Sequence, residues 1–372
     1  MPFRMMPAVS ALLLAVAAAA ADGAGQQPRI ANATVTAQPA GVPFAASFRA
    51  LVSASAEVTW IGYGVPVLDG ERVMWCLDSD RGYGSTAAGC CGVCRLDNTD
   101  GTTISSSKST TPAPVGTIRL EAGPTMIVLF RVAERKVDRI RVFSESCQLD
   151  AGGRPVRWLE GVAPADSLAL LESLVTSPDP DARGRISDGA ITAIALHKDT
   201  AADASLERLV APGQPEAVRK KVTFWLGNAR GQRGFDLLRR VIREDASLEV
   251  RKGAIFGLSQ SPVTGTTDAL VAIARADAEP RLRGEALFWL AQKAGQKVAA
   301  TIAERIDQDP DTEVKKKAVF ALSQLPKDEG VPLLINVART NPNREVRKQA
   351  MFWLGQSHDS RAVDFFSEVL RK

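Results

Sequence analysis

Five cysteines offer the most reactive chemistry in this sequence, and all of them precede residue 150. They are Cys76, Cys90, Cys91, Cys94 and Cys147. The C-x-x-C spacing of Cys91 and Cys94 occurs in both redox centres and zinc sites. A zinc site needs four ligands, which Cys76 and three of the clustered cysteines could supply, although no histidine is near. A redox role would place Cys91 at a helix start, and its glycine-rich surroundings do not favour one.

The N-terminus indicates which chemistry applies to these thiols. Residues 1–21 have the layout of a secretory signal peptide, with Arg4, an almost wholly apolar run and small residues at 19–21. The apolar run is too short and too rich in alanine to favour a membrane span. We therefore expect an exported protein, periplasmic or secreted, with no span in the mature chain. In an oxidising compartment the five cysteines are disulfide candidates, with a pairing that the sequence leaves open.

Other catalytic arrangements are scarce. The chain has two histidines, His197 and His358, and no Ser-His-Asp set, phosphate loop or pair of catalytic carboxylates stands out. His197 lies at a predicted helix end, where an exposed or capping role is expected. The formal net charge of +4 is too mild to indicate a nucleic-acid partner. The sequence therefore predicts no enzyme activity, cofactor or resident metal.

The cysteines lie in a predicted β domain. Residues 22–42 have few large apolar residues and are predicted to be a flexible lead-in, whereas residues 43–161 contain short runs of Val, Ile, Phe and Trp between turn residues. The predicted strands are Ser47–Ser53, Val58–Leu68, Arg72–Leu77, Thr117–Glu121, Thr125–Val132 and Arg139–Ser144. Residues Asn98–Pro114 are predicted to form a long exposed loop.

A repeat with a step of 32 residues organises the rest of the chain. Its five clear copies are VRKKVTFWLG from Val218, VRKGAIFGLS from Val250, LRGEALFWLA from Leu282, VKKKAVFALS from Val314 and VRKQAMFWLG from Val346. A degenerate sixth copy begins at Ile186. A fixed period of this length indicates a solenoid, in which no unit could bury its apolar face alone.

Each copy is predicted to be the second helix of a pair. Helical periodicity begins at Asp166, which is placed as an N-cap. The predicted first helices are Phe235–Arg243, Asp268–Ala274, Val298–Ile306, Val331–Ala338 and Ala362–Leu370. Turns such as Asp309–Asp311 separate the two helices, because proline ends one helix and is tolerated at the start of the next.

The pattern D-x-x-x-x-[VL]-[RK]-x-x-A-x-x-x-L resembles HEAT repeats, in the short subtype of phycobilisome-lyase-like HEAT proteins. The resemblance covers about residues 166–372 and implies an all-α, armadillo-like superhelix over the domain 165–372. Together with the β domain predicted from the residues before it, this gives an α+β two-domain protein, with a small disulfide-bearing β domain before the solenoid. It also implies that the second helices line the concave surface. Some HEAT-like proteins are lyases or hydroxylases. Deoxyhypusine hydroxylase binds iron through His-Glu pairs, which are absent here, because Lys198 and Asp359 follow the histidines.

Several columns of the repeat are predicted to be structural, counting the first residue of each copy as position 0. Positions 0, 4, 7 and 8 fall on one face at about 100° per residue, which predicts a core of small residues at position 4 and leucines at position 8. Position 1 is Arg219, Arg251, Arg283, Lys315 and Arg347. A cation there opposes the helix dipole, and the resemblance implies an ion-pair ladder with Asp181, Asp245, Asp277, Asp309 and Asn341.

Position 6 is the candidate binding column, because it points away from the predicted core. It holds Phe224, Phe256, Phe288, Phe320 and Phe352, and position 2 holds Lys220, Lys252, Lys316 and Lys348. One interpretation is a concave groove for a protein partner, an extended or helical polypeptide with acidic residues. The other is that each phenylalanine packs sideways on the next unit. At position 7, tryptophan alternates with Gly257 and Ala321, which favours packing of large against small.

We therefore expect an exported protein-binding scaffold or adaptor. The alternatives are a redox-sensing or metal-binding envelope module that acts through the cysteines, and a HEAT-like lyase or hydroxylase, which the missing His-Glu motif disfavours.

Overall fold

The computed structural model describes residues 28–69, 76–77, 93–97, 123–175, 183–294 and 298–371. The strands in these ranges are β1 (Ile30–Ala31), β2 (Val35–Pro39), β3 (Thr59–Pro66), β4 (Cys76–Leu77), β5 (Val93–Arg95), β6 (Thr125–Ala133), β7 (Lys136–Ser144), β8 (Gln148–Asp150) and β9 (Val156–Glu160). The helices are α1 (Phe44–Ala54), α2 (Pro164–Val175), α3 (Arg183–Leu196), α4 (Ala201–Leu209), α5 (Glu216–Ala229), α6 (Gly231–Glu244), α7 (Leu248–Gln260), α8 (Thr266–Ala276), α9 (Pro280–Ala294), α10 (Ala299–Gln308), α11 (Thr312–Ser323), α12 (Lys327–Thr340), α13 (Arg344–Gln356) and α14 (Ser360–Leu370).

The N-terminal region is built on a mixed sheet with the strand order β2-β9-β3-β6-β7-β4, beside a smaller sheet with the order β1-β8-β5. The strands predicted at Val58–Leu68, Thr125–Val132 and Arg139–Ser144 are confirmed as β3, β6 and β7. The predicted strand Ser47–Ser53 is wrong, because these residues belong to helix α1. Its buried Phe44 and Phe48 are four residues apart and therefore share one helix face.

Several predictions fall on residues outside the described ranges. The strand Thr117–Glu121, the loop Asn98–Pro114 and the signal peptide lie there entirely. Of the predicted strand Arg72–Leu77, the structure describes the two residues of β4, which pair with β7.

The large sheet has apolar side chains on both faces, because successive residues of a strand point to opposite sides. On one face Ile61, Tyr63 and Phe130 join the main core. On the other face Trp60 and Trp158 pack in a second, smaller core over the short sheet. Both faces of the sheet are therefore covered.

The sheet packs directly against the first helices of the repeat region. A Cβ atom on Gly189 of α3 would lie 2.4 Å from the backbone oxygen of Ile140 in β7, so only glycine allows this approach. The hydroxyls of Tyr63 and Ser167 are 3.0 Å apart, within hydrogen-bond distance. One continuous core runs from Phe44 in α1 to Phe365 in α14. The two regions distinguished in the sequence thus share a hydrophobic core.

From α3 onward the helices form the predicted pairs. The copies at Ile186, Val218, Val250, Leu282, Val314 and Val346 lie in α3, α5, α7, α9, α11 and α13, and the predicted first helices lie within or overlap α6, α8, α10, α12 and α14. The N-cap prediction for Asp166 is wrong, because α2 begins at Pro164 and Asp166 lies in its first turn. Within the described residues, no helix has the length and apolarity needed to cross a membrane.

The buried stripe of the second helices differs slightly from the predicted one. Positions 0, 4 and 8 are buried as predicted, but position 5 is buried too, as in Ile255, Leu287 and Val319. The tryptophans of position 7 are half-buried at the edge of the stripe. The stripe is wider on the position 5 side because each second helix packs on its own first helix and on both neighbouring second helices.

Neighbouring second helices approach closely, with backbone against backbone. A Cβ on Gly227 of α5 would lie 1.8 Å from the backbone oxygen of Gly257, and a Cβ on Gly257 would lie 2.2 Å from that of Thr223. Successive second helices contact one another extensively, whereas successive first helices touch sparingly. The second helices therefore form the inner, concave side of the stack.

This packing predicts that Gly257→Ala is destabilising. The added methyl group would meet the Thr223 carbonyl, and we expect a loss of about 1–3 kcal/mol in the free energy of unfolding. Gly355→Ala is the matched control, because a Cβ at Gly355 meets nothing within 4 Å. The control should be neutral or stabilising by up to about 1 kcal/mol, since alanine favours helix. Urea unfolding measures both, and equal effects would contradict the close helix approach.

Candidate functional site

The phenylalanines of position 6 and the tryptophans of position 7 form one continuous row of rings along the inner side of the stack. We call this row the aromatic ladder. Its rings, in order of contact, are Trp225, Phe224, Phe256, Trp289, Phe288, Phe320, Trp353 and Phe352. Each ring centroid lies between 4.6 and 6.0 Å from the next, which is within the range of favourable aromatic contacts.

The contacts of the aromatic ladder alternate with the residue at position 7. Phe288 and Phe320 stack with centroids 5.7 Å apart and planes 6° apart, where the second unit has a small residue at position 7. At the next step, Trp353 covers Phe320 with centroids 4.8 Å apart. The predicted pairing of large with small residues is therefore confirmed, and it produces a repeat of two units.

The aromatic ladder is packed sideways and yet reaches solvent. Four of its phenylalanines are half-buried, and Phe352 at the last copy is 55% exposed. Both interpretations of position 6 thus apply in part, because each ring contacts the next unit and keeps an exposed edge. Binding of a partner by this column stays a prediction.

The lysines of position 2 are less available than the sequence suggests. Three of the four pair with a glutamate three residues earlier on the same helix: Lys252 with Glu249 at 2.9 Å, Lys316 with Glu313 at 3.0 Å and Lys348 with Glu345 at 3.1 Å. The hydrogen bond from Lys252 holds the pKa of Glu249 below its ordinary value. At these copies the rim of the aromatic ladder therefore carries alternating positive and negative charges, and the lysines do not form a continuous basic stripe.

The predicted ion-pair ladder of position 1 is present at three successive steps. Arg219 lies 3.4 Å from Asp245, Arg251 lies 3.2 Å from Asp277, and Arg283 lies 2.8 Å from Asp309. In each step the arginine belongs to one unit and the aspartate to the next. The hydrogen bonds that Arg283 donates to the Asp309 carboxylate raise the pKa of Arg283 above its ordinary value. Asp181 lies outside the described residues.

Each aspartate of this ladder also shapes the turn in which it lies. Asp309 accepts a hydrogen bond from the backbone N–H of Asp311 at 2.9 Å, and Asn341 accepts the equivalent bond from Asn343 at 3.0 Å. The last step has no ion pair, because Lys315 donates to the backbone oxygen of Asp307 while Asn341 stands in place of aspartate. At this step a backbone oxygen therefore takes the place of the carboxylate as the partner of the cation.

Two of the cysteines lie close together beside the smaller sheet. Cys94 in β5 is opposite Leu149 in β8, two residues beyond Cys147. Cys147 is 3% exposed, and Cys94 packs against the same apolar cluster. Cys90 and Cys91 lie outside the described residues, and within those residues no cluster of His, Cys, Asp and Glu could hold a metal ion.

His197 is buried, so the expectation of an exposed residue is wrong. It forms an isolated β-bridge with Val67 at the junction of the sheet and the solenoid, and its Nδ1 accepts a hydrogen bond from the backbone of Asp199. Burial lowers the pKa of His197 to about 4, so the imidazole is neutral at pH 7. Sequence spacing could not reveal this, because Val67, its partner in the bridge, lies far away in the chain.

Comparison with family models confirms the repeat type for part of the solenoid. Residues 267–351 match the family model described as HEAT repeats. The solved structures that resemble the chain include the Escherichia coli protein YibA (24% identity, 50% of this chain and 68% of the other, TM-score 0.34). Human deoxyhypusine hydroxylase also resembles it (15% identity, 52% and 96%, TM-score 0.29), as does the CpcE–CpcF complex of phycocyanin lyase from Nostoc sp. PCC7120 (18% identity, 55% and 80%, TM-score 0.29).

These similarities are too low to transfer an activity to this chain. The search of curated proteins found no match.

The last step of the ion-pair ladder, where Lys315 and Asn341 replace arginine and aspartate, provides a natural template for testing the other steps. Asp309→Asn should lower the free energy of unfolding by about 3 kcal/mol, because it leaves the buried Arg283 charge without its partner. The double variant Asp309→Asn with Arg283→Lys copies the natural pair of Asn341 and Lys315, and it should recover at least about 1 kcal/mol. Chemical unfolding of the four members of this cycle measures the coupling. A strictly additive cycle would show that the pair contributes nothing.

Proposed function

We propose that this chain is an exported protein-binding scaffold whose aromatic ladder holds a polypeptide on the concave side of the HEAT-repeat solenoid. The continuous, partly exposed row of eight rings carries the proposal. Contiguous exposed apolar surface marks interaction sites in soluble proteins, and aromatic side chains supply much of the binding energy at interfaces.

The surroundings of the aromatic ladder suit a polypeptide ligand. The rings offer flat apolar surface, and the lysine–glutamate pairs at the rim offer donors and acceptors in alternation. The exposed pairs contribute little to stability, so their side chains can exchange partners at low cost. Acidic residues of a ligand would compete with the glutamates for the lysines. This supports binding of an extended or helical segment with acidic residues.

Phe352 permits a test that leaves the core intact. Phe352→Ala removes a ring that is 55% exposed, so the stability loss should stay within about 1 kcal/mol. Capture of a polypeptide from cell-envelope extract should weaken about tenfold or more if the ring is an interface anchor. Asn336→Ala, on the exposed face of the first helix α12, is the matched control and should capture as well as the wild type. Unchanged capture by Phe352→Ala and by the double variant Phe288→Ala with Phe320→Ala, both folded, would refute the groove.

We also propose that the cysteines are structural, in a disulfide-stabilised cap at the start of the solenoid. The support is the position of Cys94 and Cys147 in one small apolar cluster, between strands that pair with each other. A disulfide there would tie β5 to the residues before β8. The rival redox and metal functions gain no support from the described residues. The enzyme alternative gains none either, because the His-Glu motif is missing.

Thiol counting tests this pairing. With five cysteines, the oxidised protein unfolded in guanidinium should react with one equivalent of a thiol reagent, because two disulfides leave one cysteine over. Cys147→Ser should raise the count to two, since Cys94 loses its partner. The double variant Cys94→Ser with Cys147→Ser should return it to one. A count of three in the double variant would place each of the two cysteines in a different disulfide.

A further inference from the structure

A pocket of about 210 Å³ lies where the C-terminal ends of α11 and α13 meet the beginning of α12. Its wall includes Ser323, Leu325, Leu334, Trp353 and Ser357. Leu325 and Leu334 are buried, so the pocket has an apolar lining. The backbone carbonyls at the end of α11 add a polar edge, because the last carbonyls of a helix have no partner within it.

The same place two units earlier is filled by a lysine of the chain itself. Between α7 and α9, the ammonium group of Lys293 donates hydrogen bonds to the backbone oxygens of Ser259 and Ser261, both at 2.8 Å. These carbonyls belong to the C-terminal end of α7, where the helix dipole is negative and favours a cation. Burial lowers the pKa of Lys293.

The two-unit repeat shows what is missing from the later pocket. A shift of two repeats carries Trp289 onto Trp353, Ser259 onto Ser323 and Ser261 onto Leu325, but it carries Lys293 onto Ser357. The later pocket thus has the same helix end and the same tryptophan ring. In place of the lysine that binds the carbonyls it has the short hydroxyl side chain of Ser357. Within the described residues, no hydrogen bond to the backbone oxygens of Ser323 and Leu325 is found.

One cation lies in the pocket wall and could compete for this place. Lys327 lines the pocket, but it is exposed at the first residue of α12. The backbone oxygen of Lys327 accepts a hydrogen bond from Arg361 at 2.9 Å. The helix end is thus left without the ammonium group that its counterpart has.

We propose that this pocket binds a primary ammonium group on an alkyl chain, carried by a lysine side chain of a bound polypeptide or by a free amine. The ammonium group would donate to the backbone oxygens of Ser323 and Leu325, as Lys293 does at α7. The alkyl chain would lie against Trp353 and the buried leucines. A carboxylate or phosphate would be excluded, because it would face carbonyl oxygens at the negative end of a helix.

Two substitutions at Ser357 test the chemistry without any ligand. Ser357→Lys supplies the missing ammonium group from within the chain and should raise Tm by about 2–4 °C. Ser357→Met fills the space with an uncharged chain of similar length and should raise Tm less. An equal effect of the two variants, or a lower Tm for the lysine variant than for the methionine variant, would overturn the proposal.

Added amines test the site directly. Pentylammonium chloride should raise Tm of the wild-type protein relative to sodium chloride at equal concentration, and 1-pentanol should not. The shift should disappear in Ser357→Lys and in Ser357→Met, because both variants occupy the pocket. A shift that persists in both variants would locate the amine elsewhere, and no shift in the wild type would refute the site.

A third probe identifies the source of the amine. N-acetyl-lysine methylamide should act like pentylammonium if the pocket takes lysine side chains, whereas a response to pentylammonium alone would assign it to free amines. Phe352→Ala leaves this pocket intact, so the amine response and polypeptide capture can fail separately.

Discussion

The close approach of neighbouring second helices is the contact on which the rest of this structure depends. At Gly227 and Gly257 the two backbones meet with no room for a Cβ atom. Packing of neighbouring second helices buries positions 0, 4 and 8 of every copy and position 5 of all but the last, and it turns position 6 toward the inner side of the stack. The rings of adjacent copies are then close enough to touch. The aromatic ladder is therefore a consequence of helix spacing.

Alternation between large and small residues keeps that spacing regular. Trp289 and Trp353 each cover the phenylalanine of the preceding unit, and the small residues between them allow phenylalanines to stack. The structural unit of the solenoid is thus a pair of repeats. The pocket at Ser357 becomes visible through this longer period, because its counterpart at Lys293 lies two copies away.

The two ends of the solenoid core are covered to different extents. The mixed sheet covers the first end, with Gly189 allowing α3 to lie directly on β7, and terminal units of a solenoid need such a cover because no neighbour buries their apolar face. At the other end α14 leaves Val363 and Leu370 exposed, at 63% and 85%. The buried, neutral His197 lies at the junction with the sheet.

The sequence by itself determined the solenoid and its pairs of helices, because a fixed period repeats every local choice in register. The Asp–Arg ladder was implied by the resemblance to HEAT repeats. The sequence also placed the phenylalanines opposite the core, since that follows from helix geometry alone. It wrongly predicted a strand at Ser47–Ser53, where the apolar residues suit both strand and helix. It also wrongly predicted that His197 is exposed. Only the tertiary structure decided how far each ring is covered and that the helix end near Ser357 lacks its lysine. These features depend on contacts between residues about 32 or more positions apart, and no local pattern reports the distance between two helices.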